Sequence, residues 1–95
     1  MLKRTKLFIY SLKYDDLQII KCIYYFEHIA LRRIYKKLQR TMGGEKIRLK
    51  LHKMEKYGLV ELTKSSPMVA FKKEGVNYKK IIEIIEKRIK YNFGK

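Results

Sequence analysis

Cysteine, proline and acidic residues are all scarce in this sequence of 95 residues. Cys22 is the only cysteine, so the chain cannot form an internal disulfide, and a single thiol suits a reducing compartment. Pro67 is the only proline and lies in TKSSP, which already has the composition of a turn, so no proline-rich linker divides the chain. The length is that of one domain with a modest hydrophobic core.

The sequence also lacks a long hydrophobic run. The apolar stretch from Leu7 to Leu12 covers six residues and includes Ser11. This is too short for the core of a signal peptide and far too short for a membrane-spanning helix. We therefore expect a soluble, cytoplasmic protein with no membrane partner.

No catalytic or metal-binding pattern is present in the sequence. His28 and His52 are not spaced with Cys22 or with any carboxylate as zinc ligands would be. Gly43 and Gly44 lack the lysine and the serine or threonine of a nucleotide-binding loop. Cys22 falls on an apolar helix and is better explained as a small core residue than as a nucleophile. We predict that the protein is not an enzyme and uses no metal, cofactor or small-molecule substrate.

Positive charge dominates the composition. Lysine and arginine number 24 against 9 acidic residues, which gives a net charge of +15. The electrostatic field of so large a net charge favours a polyanionic partner. Nucleic acid, an anionic membrane surface and an acidic protein are all partners of this kind. Between Leu31 and Lys56, ten basic residues face only two acidic ones, a net +8 within 26 residues. An ordinary solvated helix surface would mix the two signs, so this clustering favours nucleic-acid binding.

Apolar spacing and turn residues predict a mainly helical domain with a small β-hairpin. The adjacent carboxylates Asp15 and Asp16 suit a helix start, where they accept hydrogen bonds from free amides. The basic N-terminal segment (1–14) contains the stretch Lys6–Leu12, whose apolar run is too short to show a period and fits a strand or a helix; we predict a strand. In chain order there follow a helix from Asp15 to near Glu27, an extended link HIAL, a helix LRRIYKKLQR, a turn TMGG, a helix over Glu45–Tyr57, strands Leu59–Thr63 and Met68–Lys72 around a loop Lys64–Pro67, and a last helix capped by Asn77.

The third of these helices separates apolar from cationic side chains. Ile47, Leu51 and Met54 recur at i, i+4 and i+7 and would form the buried side. The opposite side carries Glu45, Leu49, His52 and Lys56, and Lys46, Arg48 and Lys53 flank it. Gly58 is well placed to end the helix in a left-handed conformation.

Three helices followed by a hairpin, with the third helix basic and continuing into KMEKYGLVEL, resemble the winged helix-turn-helix family of DNA-binding regulators. The strongest local match is Leu51, Met54, Gly58, Leu59 and Val60, where core contacts, a helix stop and a strand start follow one another. The likeness implies a winged helix-turn-helix domain over 15–76, with an additional C-terminal helix over 77–95. The segment QRTMGG is longer and richer in glycine than the turn usual in the family.

The resemblance implies that helix 45–57 enters the major groove of double-stranded DNA and that hairpin 59–73 is the wing. We expect a sequence-specific transcriptional regulator associated with the nucleoid. The alternatives are an architectural protein that coats DNA with little sequence preference, and an RNA-binding or ribosome-associated protein. The expected DNA-contacting residues are Arg32, Arg33, Lys36, Arg40, Lys46, Arg48, Leu49, His52, Lys53, Lys56 and Lys64.

The C-terminal helix is unusually rich in isoleucine. Ile81, Ile82, Ile85 and Ile89 form a broad apolar stripe that a second copy of the chain could cover, so we predict a homodimer through these residues. The two copies of helix 45–57 would then contact half-sites about 34 Å apart on DNA. Alternatively, the stripe packs on the first helix of the same chain.

Overall fold

The structure is a computed structural model that describes residues 2–26, 28–63, 68–72 and 78–94. These residues form a mainly helical protein with a small antiparallel sheet, as predicted. In chain order the elements are α1 (Leu2–Ser11), α2 (Tyr14–Phe26), β1 (His28–Ala30), α3 (Leu31–Leu38), α4 (Gly44–Lys56), β2 (Val60–Leu62), β3 (Met68–Phe71) and α5 (Tyr78–Phe93). None of the helices in these ranges combines the length and the apolar character that crossing a bilayer requires.

The start of α2 confirms that a carboxylate caps this helix. The backbone N–H of Lys13 donates to Asp16 Oδ2 at 2.9 Å, which is the reciprocal half of a capping box. Asp15 also lies in the first turn, where negative charge complements the helix dipole. The observed helix begins one residue before the predicted start, and its described residues end at Phe26.

The turn between α3 and α4 is anchored in the core by Met42. The N–H groups of Thr41 and Met42 both donate to the carbonyl of Leu38 at 2.9 Å, and the Met42 side chain is 4% exposed. Gly43 has an ordinary extended conformation, and α4 begins at Gly44, one residue before the predicted start. The long glycine-rich turn therefore does not displace α4 from its predicted position.

The end of α4 is a Schellman motif. Gly58 has φ +77°, its N–H donates to the carbonyl of Glu55, and the N–H of Leu59 donates to the carbonyl of Met54. Leu59 and Met54 are both buried at 1% exposure, which supplies the hydrophobic contact typical of the motif. The prediction that Gly58 ends this helix in a left-handed conformation is confirmed.

The predicted hairpin is part of a three-stranded antiparallel sheet in the order β1-β3-β2. The predicted extended link is β1, and Ile29 is paired with Val69 of β3. On the other side of β3, Val60 is paired with Phe71. All four side chains are buried, so the pairing fixes the base of the hairpin to the core beneath it. The predicted loop Lys64–Pro67 and the predicted cap Asn77 lie outside the described residues.

The predicted N-terminal strand over Lys6–Leu12 is wrong, because this stretch is helical as far as Ser11, where α1 ends. Thr5, Phe8, Ile9 and Leu12 are buried, and they follow one another at i, i+3, i+4 and i+7. That spacing is helical, but it becomes visible only when Thr5 is counted among the buried positions.

Helix α1 packs against the end of α4 through one aromatic contact. The ring of Phe8 stacks on that of Tyr57 with centroids 4.5 Å apart, and Arg4 Cζ lies 4.9 Å above the Tyr57 ring. The hydroxyl of Thr5 donates to the Tyr57 carbonyl at 3.0 Å, which gives a partner to a backbone group just after the helix. The N-terminal segment is thus part of the same core as the predicted domain.

The isoleucine stripe of α5 is covered within the single chain. Ile81, Ile85 and Ile89 are 1–4% exposed and Ile82 is partly buried, because α5 packs against α1 and α2. These residues were predicted to form a dimer interface, but Ile81, Ile85 and Ile89 are already buried by their own chain and have little area left to offer a second copy, so the homodimer stays a prediction without their support. The alternative packing on the same chain is what the structure contains.

Candidate nucleic-acid interface

The orientation of α4 decides which side chains face solvent. Ile47, Leu51 and Met54 are 0–1% exposed and belong to the core, as their spacing predicted. Leu49, on the opposite side, is 55% exposed. The core contacts therefore fix the rotation of the helix and leave its cationic side in water.

Three polar side chains on the exposed part of α4 are free to meet a ligand. His52, Lys53 and Lys56 are exposed and make no hydrogen bond or ion pair within the described residues. With Leu49 they form a surface of two ammonium groups, one imidazole and one exposed apolar side chain. A side chain set of this kind can contact both phosphates and base edges.

Two of the predicted contact residues on α4 are already paired with acids of the same chain. Lys46 Nζ lies 2.9 Å from Asp15 Oδ2, and the hydrogen bond from that ammonium lowers the pKa of Asp15. Arg48 donates to both oxygens of Glu45, one turn earlier, at 3.2 and 2.6 Å. This contact lowers the pKa of Glu45 and raises the pKa of Arg48.

These two pairs are exposed, which bears on whether a ligand can displace them. The side chains of Lys46, Asp15, Arg48 and Glu45 keep between 36% and 70% of their surface in solvent. Exposed ion pairs of this kind contribute little to stability, because water screens the two charges. A phosphate can therefore compete with either carboxylate for its cation.

A third ion pair is less exposed and has a structural role. Lys50 Nζ lies 2.6 Å from Asp16 Oδ1, and the two side chains are 23% and 16% exposed. Because the other oxygen of Asp16 caps α2, this single carboxylate joins the beginning of α2 to the middle of α4. Lys50 was not among the predicted contact residues, and its pairing explains why it belongs to the scaffold of the interface.

The basic residues of α3 divide into two groups. Arg33 Cζ and Lys37 Nζ lie 4.8 and 5.1 Å from the centre of the Phe26 ring, so both side chains lean toward α2. Arg33 was predicted to contact DNA, and the structure instead brings it to this ring. The remaining predicted residues of this region are exposed and have no polar partner within the described ranges: Arg32, Lys36 and Arg40.

The base of the hairpin lies next to α4. A hollow of about 150 Å³ between α3, α4 and β2 is lined by Leu31, Tyr35, Leu51 and Leu62 together with Arg48 and His52. Arg48 and His52 thus border the hairpin. The predicted contact residue Lys64 lies outside the described residues.

Helix α1 forms one side of a groove next to α4, which was not predicted from the sequence. A groove of about 390 Å³ separates the corner between α1 and α2 from α4, and Lys13, Lys46, Lys50 and Lys53 line it together with the exposed Leu49. Asp16 is the one acidic residue among its described lining. The candidate interface is therefore wider and more cationic than α3, α4 and the hairpin alone.

The described residues contain no cluster of three or more His, Cys, Asp or Glu side chains that could hold a metal ion. Cys22 is half-buried, and burial raises the pKa of its thiol, which disfavours the reactive thiolate.

No protein-family model, curated protein or solved structure matches this chain.

Proposed function

We propose that this chain is a DNA-binding transcriptional regulator with a winged helix-turn-helix arrangement, in which α4 enters the major groove and the β2–β3 hairpin is the wing. The observation that carries the proposal is the burial of Ile47, Leu51 and Met54, which turns the cationic side of α4 outward. The major groove of B-DNA is about 12 Å wide and admits a helix of this size. The proposal includes no catalytic step and no cofactor.

The distribution of free cations supports contact with the DNA backbone. Lys53 and Lys56 on α4, Arg32 and Lys36 on α3, and Arg40 in the turn after α3 are exposed without a polar partner in the described residues. Phosphate contacts of such side chains position a protein on the duplex and supply most of its salt-dependent affinity. Lys46 and Arg48 would add two further contacts once phosphates replace Asp15 and Glu45.

Two exposed residues of α4 favour sequence-specific binding over uniform coating. Leu49 is an apolar side chain more than half exposed on the side of the helix that would face the bases, and it can contact the methyl group of thymine. His52 is a hydrogen-bonding side chain on the same surface.

The alternative, an architectural DNA-binding protein, draws on the same exposed cations of α3 and α4. Selection of bound sequences from a random duplex pool separates the two functions. A regulator should enrich a defined motif and bind it at least about a thousandfold more tightly than random duplex. A ratio near one would remove the regulator and leave the architectural protein.

The predicted homodimer no longer has the support of α5, since Ile81, Ile85 and Ile89 are buried within one chain. It remains a prediction that size-exclusion chromatography with light scattering tests directly. The DNA-binding proposal does not depend on the outcome, because one copy of α4 already forms a complete contact surface.

A further inference from the structure

A second groove lies away from α4 and the hairpin. It has a volume of about 620 Å³ and runs along α2, between the end of α3 and the end of α5. Its walls include four aromatic rings, Tyr14, Tyr25, Phe26 and Phe93, and two ammonium groups, Lys21 and Lys37. No described residue of α4, β2 or β3 lines it, so the proposed DNA surface does not use it.

The aromatic side chains of this groove are too exposed to be explained as core. Tyr14, Tyr25 and Phe26 are 55%, 62% and 39% exposed. Exposed apolar side chains gathered in one place typically mark an interaction site, and tyrosine and phenylalanine are enriched in such sites. The clustering of these three exposed rings along one groove therefore indicates an interaction site.

The rim of the groove is positively charged. Lys21 Nζ lies 4.6 Å from the centre of the Phe93 ring, and Arg33 and Lys37 lie over Phe26. No carboxylate is found among the described lining residues. The apolar floor and cationic rim complement an occupant that is apolar on one side and acidic on the other.

A second copy of this chain does not fit that description, because it would bring the same cationic rim and a net charge of +15. Single-stranded nucleic acid fits poorly as well. Bases bind aromatic platforms by stacking on open ring faces, whereas Phe26 lies beneath Arg33 and Lys37. Phe93 similarly lies against Lys21 and, with ring centroids 5.1 Å apart, against Tyr14.

The length of the groove suits a helix. Tyr14, Gln18, Lys21, Cys22 and Tyr25 follow one another on one side of α2 and extend over about three helical turns. We propose that this groove docks an acidic amphipathic helix of a partner protein. Its apolar residues would lie against Tyr14, Cys22 and Tyr25, and its carboxylates would pair with Lys21 and Lys37.

The test uses the full chain labelled with ¹⁵N and two synthetic helical peptides of about 15 residues. Both peptides carry leucine or phenylalanine at i, i+3, i+4 and i+7, and one carries glutamate at the flanking positions where the other carries lysine. The glutamate peptide should shift the amide resonances of α2 and of the end of α5. It should bind at least tenfold more tightly than the lysine peptide.

Charge reversal at two lysines provides the variant and its matched control. Lys21→Glu with Lys37→Glu should weaken the glutamate peptide at least tenfold while DNA binding persists. Lys53→Glu with Lys56→Glu changes the net charge equally but on α4, so it should abolish DNA binding and leave peptide binding unchanged. Failure of the groove proposal and failure of the DNA proposal are thereby distinguished.

Equal affinity for both peptides, or shifts confined to another surface, would overturn the proposal. It would also be overturned if a single-stranded oligonucleotide shifted the groove resonances more strongly than the glutamate peptide.

A second measurement uses the unmodified chain, so it tests the proposal even if the charge-reversal variant misfolds. Because Cys22 is the only cysteine and lines the groove, saturating glutamate peptide should slow its reaction with a maleimide at least tenfold, and an unchanged rate would contradict the docking.

Discussion

Replacing Lys53 by glutamine removes one free cation from the proposed DNA-contacting side of α4. The Lys53 side chain is exposed and has no ion-pair partner in the described residues, so its loss leaves no carboxylate unpaired. Each phosphate contact contributes about 0.9 to the slope of log K against log salt. If this contribution vanishes at about 1 M salt, the variant should bind duplex DNA about fourfold more weakly at about 200 mM salt and about 15-fold more weakly at about 50 mM salt.

The assay is fluorescence anisotropy of a labelled duplex at four or five salt concentrations. Lys87→Gln is the matched control, because Lys87 is an exposed lysine of α5 and its removal changes the net charge equally. The control should reproduce the slope of log K against log salt of the unmodified chain. In Lys53→Gln this negative slope should become shallower by about one unit. Equal slopes for the two variants would refute the assignment of α4 as the DNA-contacting helix and leave only a diffuse effect of net charge.

Three further predictions concern the fold that supports this surface. Because Lys46 lowers the pKa of Asp15 below its ordinary value of 3.8, their pair stabilises the folded protein above that pH, and its contribution is lost as the pH falls through the lowered pKa. A carboxyl NMR titration should show the pKa of Asp15 rising in Lys46→Gln, and an unchanged value would contradict the pairing. Gly58→Ala should lower the free energy of unfolding in urea by about 1–2 kcal/mol, because φ is +77°. Since the added methyl group would lie 3.8 Å from Thr5 Oγ1, a clash is not the cause, and wild-type stability would refute the assigned conformation. Ile85→Ala should lower the free energy of unfolding by about 2–5 kcal/mol with a Tm independent of protein concentration, whereas a concentration-dependent Tm would place Ile85 at a dimer interface.

Local patterns predicted most of the helices and the hairpin. The stripe of Ile47, Leu51 and Met54 and the position of Gly58 defined both the buried side of α4 and its end, because burial at i, i+4 and i+7 and a left-handed stop are properties of a single short stretch. The wrong prediction of a strand at the N-terminus also came from reading a local pattern of apolar residues. Thr5 is buried beside Phe8 and Ile9, and a threonine in the apolar stripe hides the helical period.

The pairing of charges could not be read from spacing. Asp15 meets Lys46 and Asp16 meets Lys50 across more than thirty residues, so no local rule relates them. The division of the α3 cations is similar, since Arg33 leans toward Phe26 only because α2 packs beside α3. Counting charge identified a basic stretch of sequence, but it could not distinguish a cation with an acidic partner, such as Lys50, from one without, such as Lys53 among the described residues.

By itself, the sequence determined which sides of α4 and α5 are apolar, where α4 ends and how strongly cationic the protein is, because the first two follow from neighbours within one or two turns and the third from composition. Only the tertiary structure decided that α1 and α5 share one core, that the isoleucines of α5 are already covered, and which of the described basic residues on α4 are paired with an acid. The physical reason is that burial and ion pairing depend on which distant elements come within a few ångströms of each other. That proximity is set by the packing of the whole core.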